Sequence, residues 1–188
     1  MSIVLSLTPF AVFFVLMRLH SPVAGFAAAF AASAALCVHE RVSGRVVKIL
    51  EIGSLLLFGL LLAYTWLAAP VWTVATVRLA VDLGLLAIVL VSLAIRLPFT
   101  LQYARETVPE QYWAMPVFLA ANRAISWVWA GAFAALVVAD ALAEWVPAVP
   151  LWIDVAGSIA AFVLAVWFSR WYPGVVRRRA LAAAGMPA

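Results

Sequence analysis

Six long apolar segments follow one another along the chain, at about residues 3–17, 22–38, 49–70, 72–95, 116–138 and 149–168. A helix needs about 20 apolar residues to cross a bilayer. In lipid every backbone polar group must be paired, so only helices and closed barrels can span it. These segments are too long for barrel strands and do not alternate polar with apolar residues. The sequence therefore predicts an all-α, polytopic membrane protein with about six transmembrane helices.

The first two segments are short for full crossings. Pro22 disfavours helix in the residue before it, so a tight break separates the two segments. Two crossings are the preferred interpretation, and a shallow hairpin that does not cross is the alternative. The fifth segment, in contrast, could be longer than residues 116–138 and extend to Trp145.

Composition excludes most other classes of protein. Of the 188 residues, 68% are hydrophobic and only 11% are charged, against roughly 25% charged in an ordinary soluble domain. A soluble domain could not hide so much apolar surface. A soluble enzyme, a nucleic-acid-binding protein and a disordered chain are therefore not favoured, and we interpret residues 1–188 as a single transmembrane helical domain in contact with the lipid bilayer.

The distribution of basic residues predicts the orientation of the chain. With six crossings, the positive clusters that follow the second, fourth and sixth segments all lie on one side, and they include Arg41, Arg45, Lys48, Arg96 and Arg177–Arg179. The positive-inside rule then places both termini in the cytoplasm. The basic tail, 169–188, follows a span directly, which favours binding to anionic lipid over binding to nucleic acid.

Residues 96–115 form the most informative connection, since aromatic and charged residues are mixed there. Pro98 can begin a short helix that runs to about Glu106, and Thr107 and Glu110 have the spacing of a capping box. An interfacial amphipathic connector is the simpler interpretation. The alternative is a docking or gating element, for which the candidate residues are Pro98, Tyr103, Arg105, Glu106, Tyr112 and Trp113.

Ionisable residues inside the apolar segments are costly and are candidates for function. Arg78 and Asp82 are four residues apart, hence on one helix face. They could form an ion pair that neutralises itself. Alternatively, they could form a polar or proton-linked pocket together with Asp154 from the sixth segment.

Two other buried polar candidates have simpler interpretations. Glu51 lies three residues after Lys48, which predicts a surface ion pair at the start of the third segment. Asn122 shares a helix face with Ser126, Trp129 and Phe133, and Asn122 and Ser126 are expected to hydrogen-bond to a neighbouring helix.

Small residues recur every fourth position in the second segment, at Gly25, Ala29, Ser33 and Cys37. Such a ridge allows close contact between helices. The sequence does not show whether that contact lies within one chain or between two, so the oligomeric state, including a homo-oligomer, stays open.

The sequence shows no pattern typical of catalysis, of a metal site or of a cofactor. His20 and His39 are far apart, and neither belongs to a ligand motif. There is no phosphate loop, no nucleophile motif and no pair of cysteines. We therefore assign no catalytic residue, metal or cofactor, and an enzyme is not favoured.

Several short motifs occur along the chain in a characteristic order. They are Leu7–Phe14 with its proline and paired phenylalanines, Lys48 with Glu51 and Phe58-Gly59, Arg96-Leu97-Pro98, Asn122 followed by Trp127, Trp129 and Phe133, and Trp152-Ile153-Asp154 with Gly157. In this order they resemble the landmarks of the bacterial intracellular septation protein A family. The resemblance extends over most of the chain.

Members of that family are small inner-membrane proteins associated with cell-envelope integrity and septation. The resemblance implies a multi-pass protein of the bacterial inner membrane that contacts other envelope proteins and has no known catalytic activity. The alternative is a small transporter or channel with a polar site around Arg78, Asp82 and Asp154. A lipid-modifying enzyme comes third.

Overall fold

A computed structural model describes residues 6–19, 21–146 and 151–183, with only the backbone described at residues 18, 151–155 and 180–183. The regular elements of this part are helices. They are α1 (Thr8–Leu19), α2 (Pro22–Val42), α3 (Ile49–Ala68), α4 (Val74–Ala94), α5 (Phe99–Ala104), α6 (Pro116–Trp145) and α7 (Leu151–Ala183), with a single 3-10 turn at Glu110–Tyr112 between α5 and α6. The predicted all-α fold is therefore confirmed.

Five of the helices are long and apolar enough to cross a bilayer. They are α2, α3, α4, α6 and, within α7, the stretch Ala156–Arg179. In α1 the apolar stretch Thr8–Met17 is shorter. The protein is therefore a multi-pass α-helical membrane protein, while six crossings and cytoplasmic termini stay predictions.

The last two helices are longer than the apolar segments that predict them. Helix α6 extends to Trp145, and α7 continues fifteen residues past position 168 to Ala183, with Pro173 inside it. At 1.5 Å per residue, each is about 45 Å long or more, which exceeds the roughly 30 Å hydrocarbon core. Residues 169–183, predicted as a basic tail, are thus a helical extension of α7.

The chain divides into two compact units after Ile88. In the first unit α1 packs against α2, and α2 packs against α3. In the second unit α6 packs against α7, and the short α5 packs against α6. The description of the whole chain as one helical domain stays a prediction.

Phenylalanine rings fill the core of the first unit. The ring of Phe13 stacks on Phe26 with centroids 5.3 Å apart, and Phe10 contacts Phe58 at 5.1 Å. A Cβ at Gly25 would lie 3.0 Å from a ring carbon of Phe13, so glycine allows α1 and α2 to approach closely. The small-residue ridge of α2 is therefore a contact surface within the chain.

Helix α2 ends in a Schellman motif, in which Gly44 has a φ of 69°. The Gly44 N–H donates to the carbonyl of Arg41, and the Arg45 N–H donates to the carbonyl of Glu40. Glycine adopts this left-handed conformation without a steric penalty. The motif stops α2 and turns the chain toward α3.

Helix α4 ends in the same motif, but with an arginine in the left-handed position. Arg96 has a φ of 59°, its N–H donates to the carbonyl of Leu93, and the Leu97 N–H donates to the carbonyl of Ser92. A left-handed conformation costs a residue other than glycine roughly 1–2 kcal/mol. Arginine is therefore strained at this position.

We expect Arg96→Gly to raise the thermal stability of the purified protein. Removing the strain raises the free energy of unfolding, while the greater entropy of glycine in the unfolded chain lowers it by a smaller amount. The net gain of about 1 kcal/mol or less corresponds to an increase in Tm of a few degrees. Thermal unfolding in detergent measures the change, with Gly44→Arg as the reciprocal variant that should lower Tm. A decrease in Tm for Arg96→Gly would contradict this explanation.

Candidate functional sites

A cluster of buried charges joins the end of α2 to the beginning of α3. Glu40, Lys48 and Glu51 are each at most 2% exposed. The Lys48 Nζ lies 3.3 Å from Glu40 Oε1 and 3.8 Å from Glu51 Oε1. One buried ammonium group therefore lies between two buried carboxylates, which we call the charge cluster.

Two further groups complete the neighbourhood of Glu51. The Ser6 hydroxyl donates to Glu51 Oε1 at 2.9 Å, and the backbone N–H of Lys48 donates to Glu51 Oε2 at 3.1 Å. A carboxylate in the first turn of a helix is also stabilised by the helix dipole. Glu51 thus caps α3 and ties it to Ser6.

Arg45 adds a second positive charge at the edge of the charge cluster. Its Nη1 lies 3.9 Å from Glu40 Oε1, and its side chain is half-exposed. With Arg45 included, two carboxylates face two cations. Burial of charge is tolerated where the charges are paired in this way, so the charge cluster holds α2 and α3 together.

Lys48 and Glu51 form the predicted pair, but the prediction that this pair lies on the surface is wrong. The two side chains do approach each other, but Glu40 of α2 and Ser6 enclose them, so both are buried. Sequence reasoning did not select Glu40. Glu40 lies seven residues after Ser33, which is two helical turns further along the small-residue ridge. This spacing places Glu40 on the inward face of α2, and it could have indicated that Glu40 is buried.

Asp82 is only 3% exposed in α4, and Arg78 is half-buried one turn earlier on the same helix. This position agrees with the sequence-based choice of both residues as polar groups inside a span. Their mutual ion pair stays a prediction. The side chain of Asp154 lies outside the described residues, so its place beside Asp82 stays a prediction as well.

A second polar group joins α5 to α6. The Thr100 hydroxyl donates to the backbone carbonyl of Asn122 at 2.9 Å and lies 2.9 Å from the Ser126 hydroxyl. The Asn122 side-chain amide donates instead to Phe118 O in its own helix. Ser126 thus makes the predicted bond to a neighbouring helix, whereas Asn122 contributes its backbone carbonyl rather than its side chain.

Helix α5 is anchored to α6 by its buried face. Phe99, Leu101 and Tyr103 are 2%, 3% and 9% exposed, and the Phe99 ring meets the Trp129 ring edge to face at 6.2 Å. Pro98, which precedes the helix, is also buried. Two of the six docking candidates, Pro98 and Tyr103, are therefore internal.

The remaining docking candidates lie after the anchored helix. The Arg105 guanidinium lies over the Trp113 ring, 5.2 Å from its centroid, and Trp113 Nε1 donates to Val108 O at 2.8 Å. Most side chains between these two residues are exposed. We call their exposed part the loop surface, and it consists of Glu106, Thr107, Pro109, Glu110, Gln111 and Tyr112.

The predicted capping box in this loop does not form. Thr107 donates its hydroxyl hydrogen to Ala104 O at 3.1 Å, so it closes the end of α5 rather than opening a new helix. Pro109 takes the position before the 3-10 turn, with no side-chain capping bond. A three-residue turn has few unpaired N–H groups to cap, which explains the difference.

The described part of the first unit includes an apolar cavity and a partly polar one. The apolar cavity between α2 and α3 has a volume of about 380 Å³ and is lined by Val23, Ala27, Phe30, Gly59, Leu62, Ala63 and Trp66. The cavity at the connection between α2 and α3, which we call the connection cavity, has a volume of about 550 Å³ and is lined by Arg41, Gly44, Arg45, Val46, Val47 and Ile52.

Comparison with known proteins yields no match: no family model, no curated protein and no solved structure matches the chain. The resemblance to the septation protein A family therefore stays a prediction based on short motifs.

Proposed function

We propose that this protein has a structural and interaction role in the bacterial inner membrane, where it contributes to cell-envelope maintenance or septation by binding other envelope proteins through the loop surface. One observation supports this proposal above the others. The loop surface exposes two carboxylates and a tyrosine ring on a segment that is anchored at both ends.

The anchoring matters because a flexible loop would lose entropy on binding. Helix α5, which belongs to the second unit, buries Phe99 and Leu101, and the Arg105–Trp113 contact closes the loop at its far end. A preorganised surface loses less conformational freedom when a partner binds. The loop surface is thus suited to recognition.

The chemistry of the loop surface indicates what kind of partner fits it. Glu106 and Glu110 are exposed and negatively charged, and Tyr112 is 44% exposed. Tyrosine is enriched in protein interfaces, and opposite charges steer association. We therefore expect a basic surface on the partner, close to the membrane.

The buried polar groups support a packed scaffold. Lys48 bridges two carboxylates, and Thr100 joins Asn122 and Ser126 across two helices. Each of these groups stabilises contact between helices, as polar groups commonly do in membrane bundles. Within the second unit, the bond from Thr100 to α6 holds α5, and with it the start of the loop surface, in a fixed position.

The loop variant Glu106→Lys, Glu110→Lys, Tyr112→Ala tests the proposal in a strain that lacks the protein. We expect normal accumulation in the membrane but loss of envelope-stress complementation, because charge reversal at Glu106 and Glu110 repels a basic partner and a hot-spot tyrosine contributes about 2 kcal/mol or more to binding. The control is Tyr64→Ala with Trp66→Ala, which removes exposed aromatic rings from α3 instead. Full complementation by the loop variant would contradict the proposal.

A small transporter or channel is the second candidate, and the burial of Asp82 favours it. An ionisable residue at membrane depth is a functional candidate by default. Asp82→Asn keeps the shape of the side chain and removes the charge. Transport is favoured if wild-type proteoliposomes move protons or a solute and Asp82→Asn proteoliposomes do not, whereas the interaction role predicts that Asp82→Asn retains most complementation.

A further inference from the structure

We propose that the connection cavity binds the phosphate headgroup of an anionic glycerophospholipid. Its lining combines two arginines with three aliphatic side chains, and its volume of about 550 Å³ is large enough for a headgroup. This site is distinct from the loop surface and from the basic end of α7.

The level of the cavity in the membrane is the first reason. Helix α2 ends at Val42 and α3 begins at Ile49, and both are long and apolar enough to cross a bilayer. The connection between them therefore lies where a helix leaves the hydrocarbon, which is the level of lipid phosphates. A phosphate is already present there at high local concentration.

The charges of the cavity are the second reason. Arg41 and Arg45 are both exposed, and guanidinium groups bind phosphate oxygens through paired N–H donors. Arg45 also lies 3.9 Å from Glu40, so part of its charge is balanced by the charge cluster. Arg41 then makes the larger contribution to attracting an anion.

The aliphatic side chains distinguish a lipid from a free anion. Val46 is 79% exposed and Ile52 is 45% exposed, although both line the same cavity as the arginines. Ile52 continues into Leu56 and Leu60, which are 60% and 69% exposed at four-residue spacing on α3. This exposed stripe extends away from the arginines, as an acyl chain attached to the bound headgroup would.

Lipid binding to the purified protein tests the site directly. The protein is titrated with dioleoyl phosphatidylglycerol, and with dioleoyl phosphatidylcholine as the uncharged counterpart, and bound lipid is counted by native mass spectrometry. Each arginine near anionic lipid contributes about 1 kcal/mol, or about a five-fold change in affinity. We expect Arg41→Gln to weaken phosphatidylglycerol binding about five-fold, and Arg41→Gln with Arg45→Gln to weaken it by more than five-fold but less than about 25-fold, because Glu40 balances part of the charge of Arg45.

The matched control is Arg123→Gln, which removes one exposed arginine from α6. The site is supported if Arg123→Gln binds phosphatidylglycerol as the wild type does, and overturned if Arg123→Gln and Arg41→Gln lose the same affinity, since that indicates a general charge effect. Arg41→Gln alone lies outside the charge cluster, so it separates lipid binding from folding. The proposal would also be overturned if inorganic phosphate displaced bound phosphatidylglycerol as effectively as free phosphatidylglycerol does. Equal binding of phosphatidylglycerol and phosphatidylcholine would overturn it as well.

Discussion

Lys48→Met is expected to destabilise the folded protein by about 3–5 kcal/mol, because it leaves two carboxylates buried without their shared cation. Glu40 and Glu51 are at most 1% exposed, so water cannot replace the missing ammonium group. Methionine keeps most of the length of the side chain, which limits the loss of packing. Unfolding in mixed detergent micelles measures the change in free energy.

A second substitution separates loss of charge pairing from other effects. Lys48→Met with Glu40→Gln should recover part of the lost stability, since it removes one of the two unpaired charges. Arg45→Met is the control, and its half-exposed side chain at 3.9 Å from Glu40 should contribute at most about 1 kcal/mol. If the double variant is less stable than Lys48→Met alone, the loss of stability in Lys48→Met does not come from unpaired carboxylates.

Trp129→Ala is expected to cost about 3–5 kcal/mol, the range found for truncation of large buried aromatic residues. Trp129 is 2% exposed, and its ring contacts Phe99 of α5 and Phe162 of α7. Its Nε1 also donates to Ser169 Oγ at 3.0 Å. Truncation therefore leaves a cavity among three helices and removes a hydrogen bond.

Trp127 provides a matched control for that substitution. It lies two residues earlier on α6, but it is 53% exposed, so Trp127→Ala should change the free energy of unfolding by less than about 1 kcal/mol. The free energy of unfolding of Trp129→Phe should lie between those of the wild type and Trp129→Ala, since phenylalanine keeps one ring but cannot donate a hydrogen bond to Ser169. Equal losses for Trp127→Ala and Trp129→Ala would show that α6 is not anchored through Trp129.

The sequence predicts the central helices well, because their ends coincide with the ends of apolar segments. Helix α3 at Ile49–Ala68 and α4 at Val74–Ala94 lie within two residues of the predicted segments 49–70 and 72–95. The end of α7 could not be predicted in the same way. A helix that leaves the bilayer needs no apolar residues there. The end of an apolar segment therefore indicates where lipid contact stops rather than where the helix ends.

The charge cluster depends on contacts that are distant in sequence, and for that reason local patterns predicted only part of it. The spacing of Lys48 and Glu51 gives their pairing, but Ser6 lies 45 residues from its partner Glu51. Burial of the pair therefore follows from tertiary packing. Glu40 lies two residues past the end of the predicted segment 22–38, so the apolar pattern assigns it no role.

The docking candidates were predicted from composition, and the structure separates them by helix face. Phe99 and Tyr103 are four residues apart on α5, so both lie on the face that packs against α6. This spacing could have indicated that Tyr103 is internal. The exposed Glu106 and Tyr112 lie beyond the helix, where sequence periodicity carries no information about burial.

Site-specific photocrosslinking in living cells tests most directly whether the protein acts by contact through the loop surface. A benzophenone amino acid replaces Tyr112, and in a control strain it replaces Tyr64, which is also about half-exposed but lies in α3. We expect a discrete adduct with another envelope protein at position 112, no adduct of that mass at position 64, and loss of the adduct when Glu106→Lys and Glu110→Lys are added. No adduct at position 112, or the same products at both positions, would contradict the proposed role.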